Sequence, residues 1–159
     1  KTIRGNVDTR IKKLKNNEYD AIILSKAGIN SLDLDHLISQ EFSTDEIIPS
    51  AGQGVVSIQC REDDQNIVKL LSKINDKQSS ISAHSERKVL SILEGDCHTA
   101  VGVFSQVKED KFEIAGELFS VDGKERYFKK IKDEISNYLN ISIELGNYLK
   151  SEAKNNYKK

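Results

Sequence analysis

The chain has 159 residues, 37% apolar and 31% charged, enough apolar side chains for a packed core and too many for a disordered chain. Lys and Arg number 24 against 25 Asp and Glu, which puts a globally basic nucleic-acid binder out of the front rank. No apolar run approaches the roughly 18–20 residues that cross a bilayer, no signal peptide opens the polar stretch KTIRGNVDTR, and two cysteines make neither a disulfide framework nor a four-ligand metal site. The expected compartment is cytoplasmic, with free thiols and no membrane or nucleic-acid partner. The sequence contains no Met, which marks a processed chain or a piece of a longer one.

Residues 8–16 read as a short helix, capped by Asn6 or Asp8 with Ile11 and Leu14 as its apolar stripe. Residues 20–25 (DAIILS) form a short apolar run of the kind found in buried strands. Helix followed by buried strand is an α/β pattern. Ala27-Gly28-Ile29 is expected to turn the chain before a short helix around 31–39. Pro49 is the only proline, and Ser50-Ala51-Gly52-Gln53-Gly54 after it punctuates the chain as a crossover or hinge. Residues 55–60 then read as a strand, with Val56, Ile58 and Cys60 on one face and Cys60 in a core. Asp63 or Asp64 caps a helix over 64–74.

Residues 77–80 are a polar break and a plausible boundary. A helix over 81–93 follows, with Ala83, Glu86, Leu90 and Leu93 on one face. A carboxylate on an apolar stripe requires partners, so Glu86 is expected to meet an Arg or several backbone N–H groups. After the loop Glu94-Gly95-Asp96-Cys97-His98-Thr99 come three strand-like runs, 100–108, 111–120 and 125–131, which read as an antiparallel meander with Asp122-Gly123 turning between the last two. A final helix over 133–152 buries Ile135, Tyr138, Leu139, Leu145 and Leu149, and the tail KNNYKK is expected to fray.

Three constellations bear chemistry. Only 5 of the 24 basic residues are Arg, yet Arg4 and Arg10 fall within seven residues, around Gly5 and a helix start. A helix N-terminus suits anions, and a guanidinium grips a carboxylate or phosphate in bidentate fashion; the plain alternative is a solvated basic helix start. Gln53, between two glycines, offers a side-chain amide and bare backbone to a ligand, or is simply a flexible turn. Cys97 sits in a Gly-bearing loop beside His98, where a thiol is more available for covalent chemistry than Cys60 in its strand. Adjacent Cys and His rarely have hydrolase geometry. His36, His84 and His98 show no metal-ligand spacing, so no metal is expected.

Read in order, RGNVDTR, EYDAIILSKAGI, PSAGQGVVSIQCRED and SERKVLSILEGDCHTAVG resemble the porphobilinogen deaminase (hydroxymethylbilane synthase) family, at that family's spacing and over nearly the whole chain. The resemblance implies a transferase of tetrapyrrole and haem biosynthesis, which joins four porphobilinogen molecules into hydroxymethylbilane and releases ammonia. It implies a covalent dipyrromethane primer on Cys97, carboxylate contacts from Arg4 and Arg10, and Asn6 and Gln53 lining the same cleft. Porphobilinogen and oligopyrrole intermediates are then the partners, in an enzyme expected to be monomeric. The implied fold is the second half of a three-domain enzyme, mixing α/β and α+β. Residues 1–48 would end domain 2, 49–75 would cross back to domain 1, both resembling periplasmic-binding-protein lobes, and 76–159 would be domain 3, with a three-stranded antiparallel sheet, helices and the Cys97 loop. The family's catalytic Asp belongs to the other half, so no catalytic residue is expected here and the chain alone is expected to be inactive. Departures are Ser31 where most members carry Arg, Gly95-Asp96 for the usual Gly-Gly, and PSAGQG for PAVGQG. The contrasting reading is a noncatalytic module binding small carboxylates through Arg4 and Arg10.

Overall fold

A computed structural model describes residues 2–96 and 98–158. The chain forms two compact units, residues 1–43 and 44–159.

In the first unit, α1 (Val7–Lys15) starts at Asn6 and buries Ile11. Asp8 in its first turn and Lys12, Lys13 and Lys15 in its last complement the helix dipole. Asn17 leaves the helix in the left-handed region, at φ 58°. Residues 20–25, predicted to be a strand, join no ladder. Ile23 is 69% exposed there. A strand needs a neighbour to take its backbone N–H and C=O groups, and apolar sequence alone supplies none. The predicted turn at Ala27-Gly28-Ile29 is instead helical, in α2 (Lys26–Asn30), and a 3-10 turn at Asp35–Leu37 replaces the helix expected over 31–39.

The second unit is built on β1 (Val101–Lys108), β2 (Lys111–Phe119) and β3 (Arg126–Glu134), an antiparallel sheet in the order β1-β2-β3. The expected meander is therefore present. Ser105 stands opposite Ile114, and Ile114 opposite Ile131. Glu109 and Asp110 turn β1 into β2 with both residues at positive φ, 53° and 58°. That is the pattern of the tight hairpin turn whose twist matches the strands. β3 runs on to Glu134, because Lys111 of β2 is there to pair with it; the last helix accordingly starts later than residue 133.

Two helices, α4 (Lys77–Leu93) and α5 (Tyr138–Ala153), pack against the sheet and against each other. The core joins Val89 and Leu93 of α4, Val103 of β1, Phe112, Ile114 and Leu118 of β2, and Ile141, Leu145, Leu149 and Ala153 of α5. The α5 row runs at i+4 spacing, one ridge of a helix; Leu139 falls off it and is exposed. Residues 77–80, predicted to be a break, are the first turn of α4: Asp76 Oδ1 accepts from the Ser79 amide at 2.7 Å. Polar residues at a capped helix start stay solvated and need not interrupt the helix. Two glycines allow the close packing. A Cβ on Gly116 would stand 3.1 Å from both Leu145 and Leu149, and one on Gly146 would stand 3.0 Å from Ile92.

Glu86 is 5% exposed and finds backbone partners rather than an Arg. It accepts from Gly52 N at 2.7 Å, Ser105 N at 2.8 Å and Ser105 Oγ at 2.9 Å. Pro49 O accepts from Val103 N at 2.9 Å, and a Cβ on Gly102 would stand 2.6 Å from Ile48 O. The crossover 48–54 is thus pinned across β1 and α4. Beyond it, residues 55–60 form no strand. Val56 is 91% and Ile58 60% exposed, and Cys60 is only partly covered, so Cys60 is not the core cysteine the alternation predicted. Their pattern is strand-like, but no neighbouring strand pairs with them among the described residues. The helix predicted over 64–74 is α3 (Gln65–Leu71), capped by Asp64, with no buried residue.

Candidate functional site

The first site is the loop that opens the first unit. Gly5 sits at φ +125°, and a Cβ there would lie 2.9 Å from Thr9 Cγ2, so only glycine fits. Arg10 Nε donates to Gly5 O at 2.7 Å, and Lys13 Nζ donates to Arg4 O at 3.2 Å. Two cations of α1 therefore reach back and hold the peptide groups that precede it. Arg4 and Asn6 are exposed and Arg10 is half-buried. Asn6 occupies the position before α1 without capping it through its side chain. The structure thus brings Arg4, Asn6 and Arg10 together around one helix start. Two guanidinium groups, one on the loop and one on the helix that follows, beside a bare glycine are a donor set suited to a polyacid. Lys13 was not singled out in the sequence, although its i+3 spacing from Arg10 places both on one face. Ser31 donates from Oγ to Gly28 O at 3.0 Å.

Gln53 stands in the second unit, on a turn closed by its own amide to Ser50 O at 3.0 Å. Gly52 and Gly54 flank it at φ +73° and +80°, and Gln53 is exposed. The neighbouring Gly52 amide is the one bound to Glu86, so this turn is anchored on one side and open on the other.

The third feature is the loop after α4. Glu94 ends the helix in the left-handed conformation, at φ 52° and ψ 37°. Gly95 N then donates to Leu90 O at 3.1 Å and Glu94 N to Ser91 O at 3.3 Å, the paired bonds of a Schellman ending. Asp96 Oδ1 accepts from His98 N at 2.8 Å, Thr99 N at 3.0 Å and Thr99 Oγ1 at 3.2 Å. Those bonds, the His98 amide first, hold the Asp96 carboxyl below the usual carboxylate range. Cys97, the predicted attachment point, lies outside the described residues. What the described residues provide is a frame on both sides of it. The Asp-x-x-Thr spacing that closes the frame was visible in the sequence. Tyr157 and Lys158, which also meet this region, were not signalled: the sequence there reads as a polar tail. Among the described residues, no three His, Cys, Asp or Glu side chains are grouped as metal ligands. His84 Nδ1 lies 2.7 Å from Ser80 O one turn back, and His36 is exposed.

Comparison with known proteins defines the class first. Residues 1–69 match the family model described as "Porphobilinogen deaminase, dipyromethane cofactor binding domain", and residues 80–155 match "Porphobilinogen deaminase, C-terminal domain". The chain belongs to the porphobilinogen deaminase family. Among its relatives, the porphobilinogen deaminase of Exiguobacterium sibiricum is 41% identical over 126 residues, 78% of this chain and 41% of the relative. That of Prochlorococcus marinus is 38% identical over 154 residues, 97% of this chain and 48% of the relative. The chain spans less than half the length of either relative.

Proposed function

We propose that this chain forms the C-terminal portion of a hydroxymethylbilane synthase, the transferase that links four porphobilinogen molecules into a linear tetrapyrrole and releases ammonia. The observation that carries the reading is the succession of both family domains along one chain, with the Prochlorococcus relative aligned over 97% of it. Residues 1–48 are assigned to the end of domain 2, residues 49–75 to the return into domain 1, and residues 76–159 to domain 3. The two flanking lobes are taken to be of the periplasmic-binding-protein type. The unpaired runs 20–25 and 55–60 support that assignment, since each has strand-like sequence without a neighbouring strand among the described residues.

Cys97 is assigned as the thioether attachment point of dipyrromethane, which supplies the covalent starting point of the growing chain. Arg4 and Arg10 are assigned to its acetate and propionate carboxylates, and Asn6 and Gln53 are assigned as further primer contacts. The donor chemistry at Gly5 supports this: a two-ring primer presents four carboxylates, and each Arg–carboxylate bond contributes about 1.5–3 kcal/mol. Arg10 is already oriented by its bond to Gly5 O. The enzyme is assigned to the cytoplasm as a monomer. Residues 1–159 alone are inactive, because the family's catalytic Asp lies in the other half.

The test pairs this chain with the remaining length of its relatives and measures hydroxymethylbilane formation, with intact mass of the protein. Expected are a primer adduct mapped to Cys97 and its loss in Cys97→Ser. Turnover by residues 1–159 alone, or full activity in Cys97→Ser, would refute the reading.

A further inference from the structure

The residues after α5, predicted to fray, are ordered against the loop that frames position 97. Lys154 and Asn155 both adopt positive φ, 44° and 66°, and turn the chain sharply back. Asn156 O accepts from Val121 N at 2.9 Å, and Asn156 Nδ2 donates to Glu125 Oε2 at 2.9 Å, which fastens the segment to the β2–β3 connection. Tyr157 is 3% exposed and joins the core.

Tyr157 and Lys158 of this segment, together with Lys150 of α5, meet the end of α4. The Tyr157 hydroxyl donates to Leu93 O at 3.1 Å. Lys150 Nζ donates to Ile92 O at 3.0 Å, and Lys158 and Lys150 both pair with the Glu94 carboxylate. The last carbonyls of a helix lack intrahelical partners, and cations there complement the dipole. Here a hydroxyl and an ammonium meet two of those carbonyls. A third group, Glu94, is the left-handed residue from which the loop departs. Tyr157 and Lys158 also share a hollow of about 290 Å³ with Glu94, Asp96, His98 and Thr99. The match to the family's C-terminal domain stops at residue 155, so Tyr157 and Lys158 lie beyond it.

We propose that residues 154–158 are a strap that fixes the exit of α4 and the loop 94–99, and that Tyr157 is a positioning residue for the attachment of the primer at that loop. The strap acts through Leu93 and Glu94, not by touching the substrate. Its role in attachment rests on the assignment of Cys97 under Proposed function; its hold on the loop does not.

The experiment uses the full-length protein with Tyr157→Phe, Lys158→Ala, Lys158→Arg and a variant lacking residues 157 and 158. Amide hydrogen exchange is followed over residues 93–99 and over β2, and primer loading is timed by intact mass. Tyr157→Phe and Lys158→Ala are each expected to speed exchange in 93–99 about fivefold, the scale of one lost hydrogen bond, with β2 unchanged. Loading should slow in both, Lys158→Arg should restore it, and the shortened chain should show the largest effect. Unchanged exchange in 93–99, or a parallel rise in β2, would overturn the strap. Faster loop exchange with loading at the native rate would overturn the positioning role. If the native protein carries primer on a residue other than Cys97, the assignment of that cysteine fails and the role of Tyr157 in attachment fails with it, while the exchange measurements still decide whether the strap holds the loop.

Discussion

Glu86 concentrates the most polar bonding on one buried side chain. Its carboxylate takes two backbone amides and a hydroxyl, joining the crossover 48–54 to β1. Removing it leaves the buried Ser105 N and the half-buried Gly52 N without their acceptor, which costs more than the bonds themselves. Glu86→Ala is expected to lower unfolding stability by about 3 kcal/mol, measured by urea denaturation. Ser105→Ala should cost less, because the Ser105 amide keeps its bond, and the double variant should be less than additive. Asp96 makes a pH prediction. Its carboxyl is held below the ordinary value by the His98 and Thr99 amides. The folded loop therefore binds a proton less readily than the unfolded chain, and stability rises with pH across that interval. The loop closure is complete above the ordinary carboxylate value of about 4 and is lost as pH falls through the depressed folded value. The His98 and Thr99 amide resonances should move together in that acid window, and Asp96→Asn should abolish the movement. Arg10→Ala removes both the proposed donor to the primer carboxylates and the brace on Gly5 O. Primer loading in the full enzyme is expected to fall at least tenfold, for a charge-assisted bond of about 1.5–3 kcal/mol; normal loading would count against the proposed site.

At the scale of elements, the β1–β2 turn and the helix–sheet contacts carry the clearest consequences. Glu109 and Asp110 both occupy left-handed conformations, which side chains with a Cβ adopt at a cost. Replacing the pair by Asn-Gly should stabilise the second unit by about 1 kcal/mol, read as a higher midpoint in thermal unfolding. Gly116 is the reverse case. Leu145 and Leu149 lie against it, so Gly116→Val forces α5 away from β2. A loss of about 1–3 kcal/mol is expected, as for other overpacked cores, with the β2 amides losing protection first. Element types over residues 81–153 were legible from local pattern. The alternation Val101, Val103, Ser105, Val107 set β1, and α4 and α5 showed helical spacing. Their ends were less legible, since β3 continues wherever β2 offers a partner and α4 begins wherever Asp76 caps it.

For the whole molecule, some strand-like segments find partners and others do not. Residues 77–153 make a sheet whose strands pair with one another and whose core is closed by two helices of the same segment. The runs 20–25 and 55–60 have equally strand-like sequences but no partner among the described residues, and Val56 and Ile58 face solvent. Apolar alternation states which face a strand would bury, not whether another strand is there to receive it. The sequence by itself determined the family, through ordered motifs, the hairpin meander, through alternation and turn residues, and the basic pair around Gly5. All of these depend on near neighbours in the chain. Only the tertiary structure decided that Glu86 is satisfied by amides of residues 52 and 105, that Arg10 braces Gly5 O, and that Tyr157 meets the carbonyl of Leu93. The Glu86 and Tyr157 contacts join groups 19 to 64 residues apart. Hydrogen bonds of that separation exist only once packing has brought the elements together, and no local periodicity records them.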